Sequence, residues 1–362
     1  MALKLKPLPE TAEEVAGRLG QPVEEVRVTL DGMAEKRQIG SMKMGGRQVY
    51  MLAPFVLGIY EFQLERLDKE LVDMVEEYMP ELAKGIGEKG PSMARVVPVN
   101  QPIKAELQVL RYEDMQRMIE EAKSFQLMDC ICRKSMALLG KPCDHTLETC
   151  LVFSKDEGAF DYFSFAGRII SKEEALEVLD ATEREGLIHC TYNVQEGQMF
   201  VCNCCVCCCG ILRSVKEFDA PYALARSNFV AFIDQDSCSA CGACANERCQ
   251  MEAIVEEDGT YMVLGERCIG CGVCILTCPT ESISMVRRPE AERDVPPADL
   301  IHWSVNRVAS RSGPLKRIML RTWLCPGTTR RPQPRRSGQP IDTRIGTRAK
   351  EDHPRAGCTR GR

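Results

Sequence analysis

The sequence predicts an α+β, multidomain protein, and three observations predict it. Cysteines recur in two matched runs between Phe229 and Arg288, apolar residues elsewhere switch between helical and alternating periods, and composition changes abruptly after Pro289. These features divide the 362 residues into segments 1–56, 57–115, 116–226, 227–289 and 290–362. With 44% hydrophobic and 27% charged residues the chain can build real cores. No apolar run reaches the length of a membrane span or a signal peptide, so a cytoplasmic location is expected. In that reducing setting twenty-one cysteines, an odd number, point to metal or cluster ligation rather than to disulfides. The net charge of −5 is uneven: residues 311–362 hold fourteen Lys/Arg against three Asp/Glu, leaving thirty-three against forty-nine, about −16, in the body. An acidic body suits docking onto basic patches of partner proteins and weakens attraction to DNA phosphates.

The first segment, 1–56, reads as two helices around a Gly20 to Pro22 turn, followed by a hairpin on Gly45 and Gly46. Helix, turn, helix and wing resemble a winged helix. The presumed recognition helix, Val23 to Lys36, carries Glu24, Glu25, Asp31 and Glu35 against Arg27 and Lys36. A net-acidic helix does not suit a DNA groove, so nucleic acid is not expected as a partner, and protein docking or a structural role is. Segment 57–115 is expected to be a helical connector. Its Leu64, Leu67, Leu71, Val75 and Tyr78 stand at helical spacing, as for a core face or, alternatively, a dimer seam.

Segment 116–226 is expected to be a Cys-rich α/β domain. After a helical pattern from about Tyr112 to Ser124, "QLMDCICRKS" alternates like a strand, which would point Cys130 and Cys132 the same way. "MFVCNCC" offers the same geometry for Cys202 and Cys204. Cys143, His145 and Cys150 lie in "GKPCDHTLETC", which has loop chemistry, and His145 is either a ligand or a loop histidine bonded to backbone. "SKEEALEVLDATEREGLIH" is a helix with a Ser171/Glu174 capping box and a stop at Gly186. Ten thiols, Cys130, Cys132, Cys143, Cys150, Cys202, Cys204, Cys205, Cys207, Cys208 and Cys209, are the candidate metal ligands here, more than one four-iron cube needs. A third iron-sulfur cluster, a zinc or other thiolate-rich site, and redox-active or buried thiols all stay open. Cys190 falls outside this motif and is read as incidental.

Segment 227–289 carries the strongest signal. Cys238, Cys241, Cys244 and Cys249 recur as Cys268, Cys271, Cys274 and Cys278 at offsets of 30, 30, 30 and 29 residues, and "CIGCGVCILTCP" fits the CxxCxxCxxxCP run of two-cluster proteins. Three thiolates two residues apart wrap the backbone round one cube, with Gly242 and Gly272 easing the tight turn, while the fourth reaches the other cube. Cys238, Cys241, Cys244 and Cys278 are therefore assigned to one 4Fe-4S cluster, and Cys268, Cys271, Cys274 and Cys249 to a second. "AIVEED" and "TYMVL" read as strands. The segment resembles the two-cluster bacterial ferredoxins over about sixty residues. It departs from them in "CSACGACANERCQ", where four residues rather than three precede Cys249 and Gln250 replaces proline. The extra residue is expected to bulge from the loop and to loosen or shift the cluster that Cys249 completes. Segment 290–362, rich in Arg, Pro, Gly and Thr, is expected to be a disordered basic tail, and no function is placed on Cys325 or Cys358.

Taken together, "CICRKSMALLGKPCDHTLETCLVF", "GRIISKEEALEVLDATEREGLIH", "FVCNCCVCCCGILRS" and "RCQMEAI" resemble a family of anaerobe 4Fe-4S binding ferredoxin-like proteins, over about residues 40 to 290. The resemblance implies a winged-helix-like N-terminus, a Cys-rich middle and a C-terminal dicluster ferredoxin domain. Val206 departs from it, standing where members tend to have glycine. The expected function is single-electron transfer between a donor and an acceptor protein by at least two 4Fe-4S clusters, with no residue catalytic in the bond-making sense. The alternatives are an iron-sulfur oxidoreductase with a substrate-activating centre in the middle domain, and a redox-sensing winged-helix regulator. No GxGxxG or Walker-type loop indicates nucleotide, flavin or nicotinamide.

Overall fold

The computed structural model describes residues 1–311 apart from 7, 45, 89, 100–108 and 161–165. The chain divides into two compact units, Met1–Arg317 and Ile318–Arg362, of which the first is described below. The basic segment from 312, with Cys325 and Cys358, lies outside the described residues.

At the N-terminus α1 (Ala12–Leu19) starts at a complete capping box, in which Thr11 and Glu14 each accept from the other's amide, and stops at Gly20 in the left-handed region. It packs against α2 (Val23–Glu35), and the antiparallel pair β1 (Gly40–Met44) and β2 (Arg47–Met51) follows. Val15, Val26, Leu30, Ile39 and Tyr50 form the core of this part. The charges of α2 are used internally: Arg27 pairs with Glu13 and Glu24, and Asp31 accepts from the Tyr50 hydroxyl.

A π-helical turn (Phe55–Ile59) and a 3-10 turn (Glu61–Arg66) lead to α3 (Lys69–Gly87). The apolar stripe is thus broken at Asp68, whose carboxylate accepts the Leu71 amide at 2.8 Å and starts a new helix. Leu64 and Val75 face the chain's own core, while Tyr78 stands 49% exposed.

A seven-stranded sheet forms the centre of the molecule. Its strands are β3 (Ala94–Val96), β4 (Ser124–Asp129), β5 (Glu148–Ser154), β6 (Gly167–Ile170), β7 (Ile188–Tyr192), β8 (Phe200–Cys204) and β9 (Leu224–Ala225), in the order β6-β4-β5-β8-β7-β3-β9. All neighbours are antiparallel except β3 and β9. The two-residue period sorts its faces. Phe125, Leu127, Leu151, Phe153 and Val201 pack under α4 (Met115–Glu121) and α6 (Lys172–Glu185). Met128, Val152 and Phe200 face the other way, toward Tyr60, Val75 and Ile131. On that side α3 packs against α5 (Ile131–Leu138) and α7 (Gly210–Lys216). Residues 57–115 are consequently not a separate connector: they supply one wall of this face and the strand β3.

Three local expectations need correction. The helix expected from Tyr112 to Ser124 is only α4, because Asp114 caps it and Ser124 already begins β4. Ser171 accepts the Glu174 amide at 3.1 Å, one half of the expected capping box. The described part of the segment after 290 includes a helix: α8 (Leu300–Arg311) docks through Trp303, which donates to the Ser92 carbonyl at 2.7 Å. Arg307 donates to the carbonyls of Gly85, Ile86, Glu88 and Pro91, so a cation covers the C-terminal end of α3. Average composition hid this helix, because one Trp and two Arg, Arg307 and Arg311, hold it rather than an apolar face.

The remaining strands are β10 (Phe229–Ile233), β11 (Ile254–Glu257), β12 (Thr260–Val263) and β13 (Ile283–Arg287). They pair β10 with β13 and β11 with β12, both antiparallel, and residues of both ribbons line the cavities among the repeat cysteines.

Candidate metal centres

In the C-terminal repeat the eight cysteines divide between two cavities, four lining each. Cys238, Cys241, Cys244 and Cys278 line one cavity of about 290 Å³ with Ile233, Tyr261 and Ile283. Cys249, Cys268, Cys271 and Cys274 line another of about 370 Å³ with Ala231, Met251 and Val273. Gly242 and Gly272 have positive φ, 76° and 80°, and a Cβ at Gly242 would come within 2.5 Å of the Tyr261 hydroxyl. The extra residue before Cys249 does not bulge out. Residues Cys244–Arg248 form a π turn in which the Cys249 amide reaches the Cys244 carbonyl at 3.0 Å. The matching Ile275–Thr277 is a 3-10 turn. A π turn takes up more residues per turn, so both halves deliver their fourth thiol.

These sulfurs differ in surroundings. The amides of Ala240 and Ala253 donate to Cys238 and Cys249 at 3.4 and 3.2 Å, contacts of the kind that tune cluster potential. Burial pushes the Cys271 thiol up to about 12. Burial also acts to raise Cys278, but hydroxyls of Ser282 and Thr280 at its sulfur outweigh it and bring the thiol down to about 7. Cys241 is exposed while Cys268 and Cys274 are buried, so the first set lies nearer the surface.

The ten middle-domain thiols fall into two groups, and neither grouping follows their order in the chain. Cys130 and Cys132 are not on a strand: β4 ends at Asp129, Cys130 is the N-cap of α5 and Cys132 lies in its first turn. Cys150 is not in a loop but on β5, facing the α3 side as Val152 does. Cys202 and Cys204 do share one face of β8, and Cys209 caps α7. Six thiols, Cys130, Cys132, Cys209, Cys204, Cys202 and Cys150, line one chamber and influence one another's ionisation around a ring in that order. Cys190, read as incidental, belongs here: its register partner across β7 and β8 is Cys202, and it lines the same chamber as the ring. Nothing in its sequence neighbourhood signals this.

The ring lines a chamber of about 1010 Å³, mouth included, walled on the far side by Phe55, Val56, Tyr60, Met79 and Ile211. The Tyr60 hydroxyl meets Ser135 Oγ at 2.7 Å, and burial pushes that phenol up to about 12. Cys130 is held well below the ordinary thiol range by hydrogen bonds from Cys132 and Cys150, and the Arg133 guanidinium adds to this. Cys132 and Cys150, bonded to it, are pushed well above that range.

The second group is Cys143, Cys205, Cys207 and Cys208, whose sulfurs all lie within 4.8 Å of one another. His145 is not among them; its Nδ1 meets Glu185 Oε1 at 2.9 Å. Between the two groups sits the buried Arg133, donating to Thr146 O, Thr149 Oγ1 and Asn203 O. Asn203 continues into a buried chain through His189 to Glu183 that sequence patterning did not reveal.

Gln250, the departure from proline, bridges the repeat to the middle domain. Its carbonyl oxygen accepts the Val206 amide at 2.7 Å and its amide donates to Gly186 O at 2.6 Å. Proline could make neither bond. Val206 has no positive φ and packs in an apolar cluster that also contains Met251, Cys271, Cys204 and Cys209, so glycine is not required there. The Val99 amide adds a bond to Cys271 O at 2.9 Å.

Residues 262–284, which include Cys268, Cys271, Cys274 and Cys278, match the family described as 4Fe-4S binding domain. No curated protein and no solved structure matches the chain. The C-terminal part is thus iron-sulfur and ferredoxin-like, for at least one 4Fe-4S cluster. No helix among the described residues is long and apolar enough to cross a membrane.

Proposed function

We propose that this protein is an electron carrier in which two 4Fe-4S clusters serve a third iron-sulfur centre in the middle domain. The first would be held by Cys238, Cys241, Cys244 and Cys278, and the second by Cys249, Cys268, Cys271 and Cys274. The third would be held by thiols of the ring Cys130, Cys132, Cys150, Cys202, Cys204 and Cys209. When bound, such clusters supply one-electron chemistry. The observation that carries the reading is the serial arrangement of the thiol sets. Cys244, Cys268 and Cys274 share one apolar core, and Cys271 shares the next with Cys204 and Cys209. The chain's own residues keep water from the inner sets, donate hydrogen bonds to sulfur, and leave Cys241 at the surface for a redox partner. The N-terminal helices support protein docking better than a nucleic acid, since Arg27 of α2 is already ion-paired.

The test is iron and acid-labile sulfide per chain on anaerobically purified full-length protein and on a C150S/C202S variant. More than eight of each in the parent, falling to about eight in the variant, is the expected result. Eight in both removes the third centre, and fewer than eight in the parent removes the dicluster assignment.

One observation favours the oxidoreductase reading in addition. The chamber is roomier than either cavity in the repeat and has an apolar wall of Phe55, Val56, Met79 and Ile211. A substrate-activating centre there would change its electron paramagnetic resonance signal on adding carbon monoxide or azide to the reduced protein; an unchanged spectrum restricts the chain to electron transfer.

A further inference from the structure

We propose that Cys143, Cys205, Cys207 and Cys208 form a separate, mononuclear zinc site that clasps the loop after α5 to the turn between β8 and α7. This goes beyond the iron-sulfur reading, because none of the four belongs to the ring or to the two sets in the C-terminal repeat. Four thiolates closing on one zinc ion at about 2.3 Å put their sulfurs about 3.8 Å apart. All four sulfurs here stand within 4.8 Å of each other, and Cys207 Sγ lies 3.6 Å from Cys208 Sγ. A four-iron cube carries its ligand sulfurs on four separate corners and needs them spread more widely. The spacing therefore selects a single ion.

The choice of zinc rests on donor set and position. Four sulfurs in a tetrahedron suit zinc or a single iron, and among divalent ions such a site binds zinc more tightly than iron. With all four positions filled by protein the site is closed, as structural zinc sites are. It also stands where the backbone has no regular secondary structure. Residues 141–147 form no strand or helix and are tied down by turn and side-chain bonds, among them Thr146 N and His145 Nδ1 to Glu185 and Arg133 to Thr146 O. The turn opposite it begins next to Cys204 and ends next to Cys209, both members of the ring, and carries the Val206 amide that Gln250 binds. An ion at Cys143, Cys205, Cys207 and Cys208 would fix that turn, and with it the two ring thiols and the bridge to the repeat.

The experiment is zinc and iron content of the full-length protein, isolated from cells supplied with both metals, compared with C143S, C207S and C150S/C202S. About one zinc per chain in the parent is expected. It should fall at least tenfold in C143S and C207S with iron in the repeat retained, and stay unchanged in C150S/C202S. Absence of zinc in the parent, one extra iron in its place, or zinc that survives both single substitutions would overturn the proposal. Should the single variants fail to fold, cobalt substitution of the parent decides. Tetrahedral thiolate cobalt gives intense visible bands, and their absence from cobalt-grown protein counts against the site. Loss of iron from C150S/C202S tests the ring alone, so the two proposals fail separately.

Discussion

Gln250 shows how one residue carries two roles. It follows Cys249 in the repeat and at the same time bonds Val206 and Gly186 in the middle domain. Gln250→Ala should lower stability by about 1 kcal/mol, since a part-buried amide and a carbonyl lose partners, while leaving iron content unchanged. A urea titration alongside iron analysis checks this, and an unchanged midpoint would show that the bridge contributes nothing. Glu185 offers a pH test. Burial acts to raise its pKa, but bonds from Thr146 and His145 outweigh it and hold the carboxyl below its ordinary range. A depressed carboxyl stabilises the fold fully above its unfolded pKa and loses that contribution as pH falls through the folded one. The parent should therefore lose about 1 kcal/mol on acidification through the carboxylate range that Glu185→Gln does not lose. Unfolding midpoints of both proteins from pH 6 down to about 3 give the comparison.

At the scale of elements, the π turn at Cys244–Arg248 and the docked helix α8 are the features that composition and spacing misjudged. The π turn absorbs the extra residue without moving Cys249 out of its set. Deleting Asn246 should convert it into a tighter turn like Ile275–Thr277, with both clusters retained and the potential of one shifted; loss of four irons would show that the turn is needed for ligation. For α8, Arg307→Ala leaves carbonyls of α3 without their cation and should cost about 2 kcal/mol in a urea titration. The same substitution should leave iron content unaffected. Sequence patterning reads α1, α2, α6, β11 and β12 well because their caps and periods are local. It fails at Cys130 and Cys132, where a strand-like alternation straddles the point at which β4 ends and α5 begins.

For the whole molecule, the thiol sets form a series that runs from an exposed cysteine at one end to the chamber of the middle domain at the other. Cys271→Ser should remove about four irons and, in rapid-freeze experiments with a reduced donor, slow reduction of the middle-domain centre at least tenfold. Unaltered reduction would mean electrons enter the chamber by another route. The sequence by itself marked the two CxxCxxC triplets of the repeat, because thiols two residues apart within a triplet are placed by the turn that contains them; that Cys278 lines the cavity of the first triplet and Cys249 that of the second is a tertiary meeting. The sequence also determined that the middle domain holds a surplus of thiols. Only the tertiary structure decided how that surplus divides. Cys130, Cys132, Cys150, Cys202, Cys204 and Cys209 come from two helix starts and two strands, and Cys190 joins them only through the register of β7 against β8. Cys143 meets Cys205, Cys207 and Cys208 across a gap of about sixty residues. Such meetings depend on strand order and on which helices cover the sheet, and these follow from burying the whole apolar surface at once rather than from any local spacing.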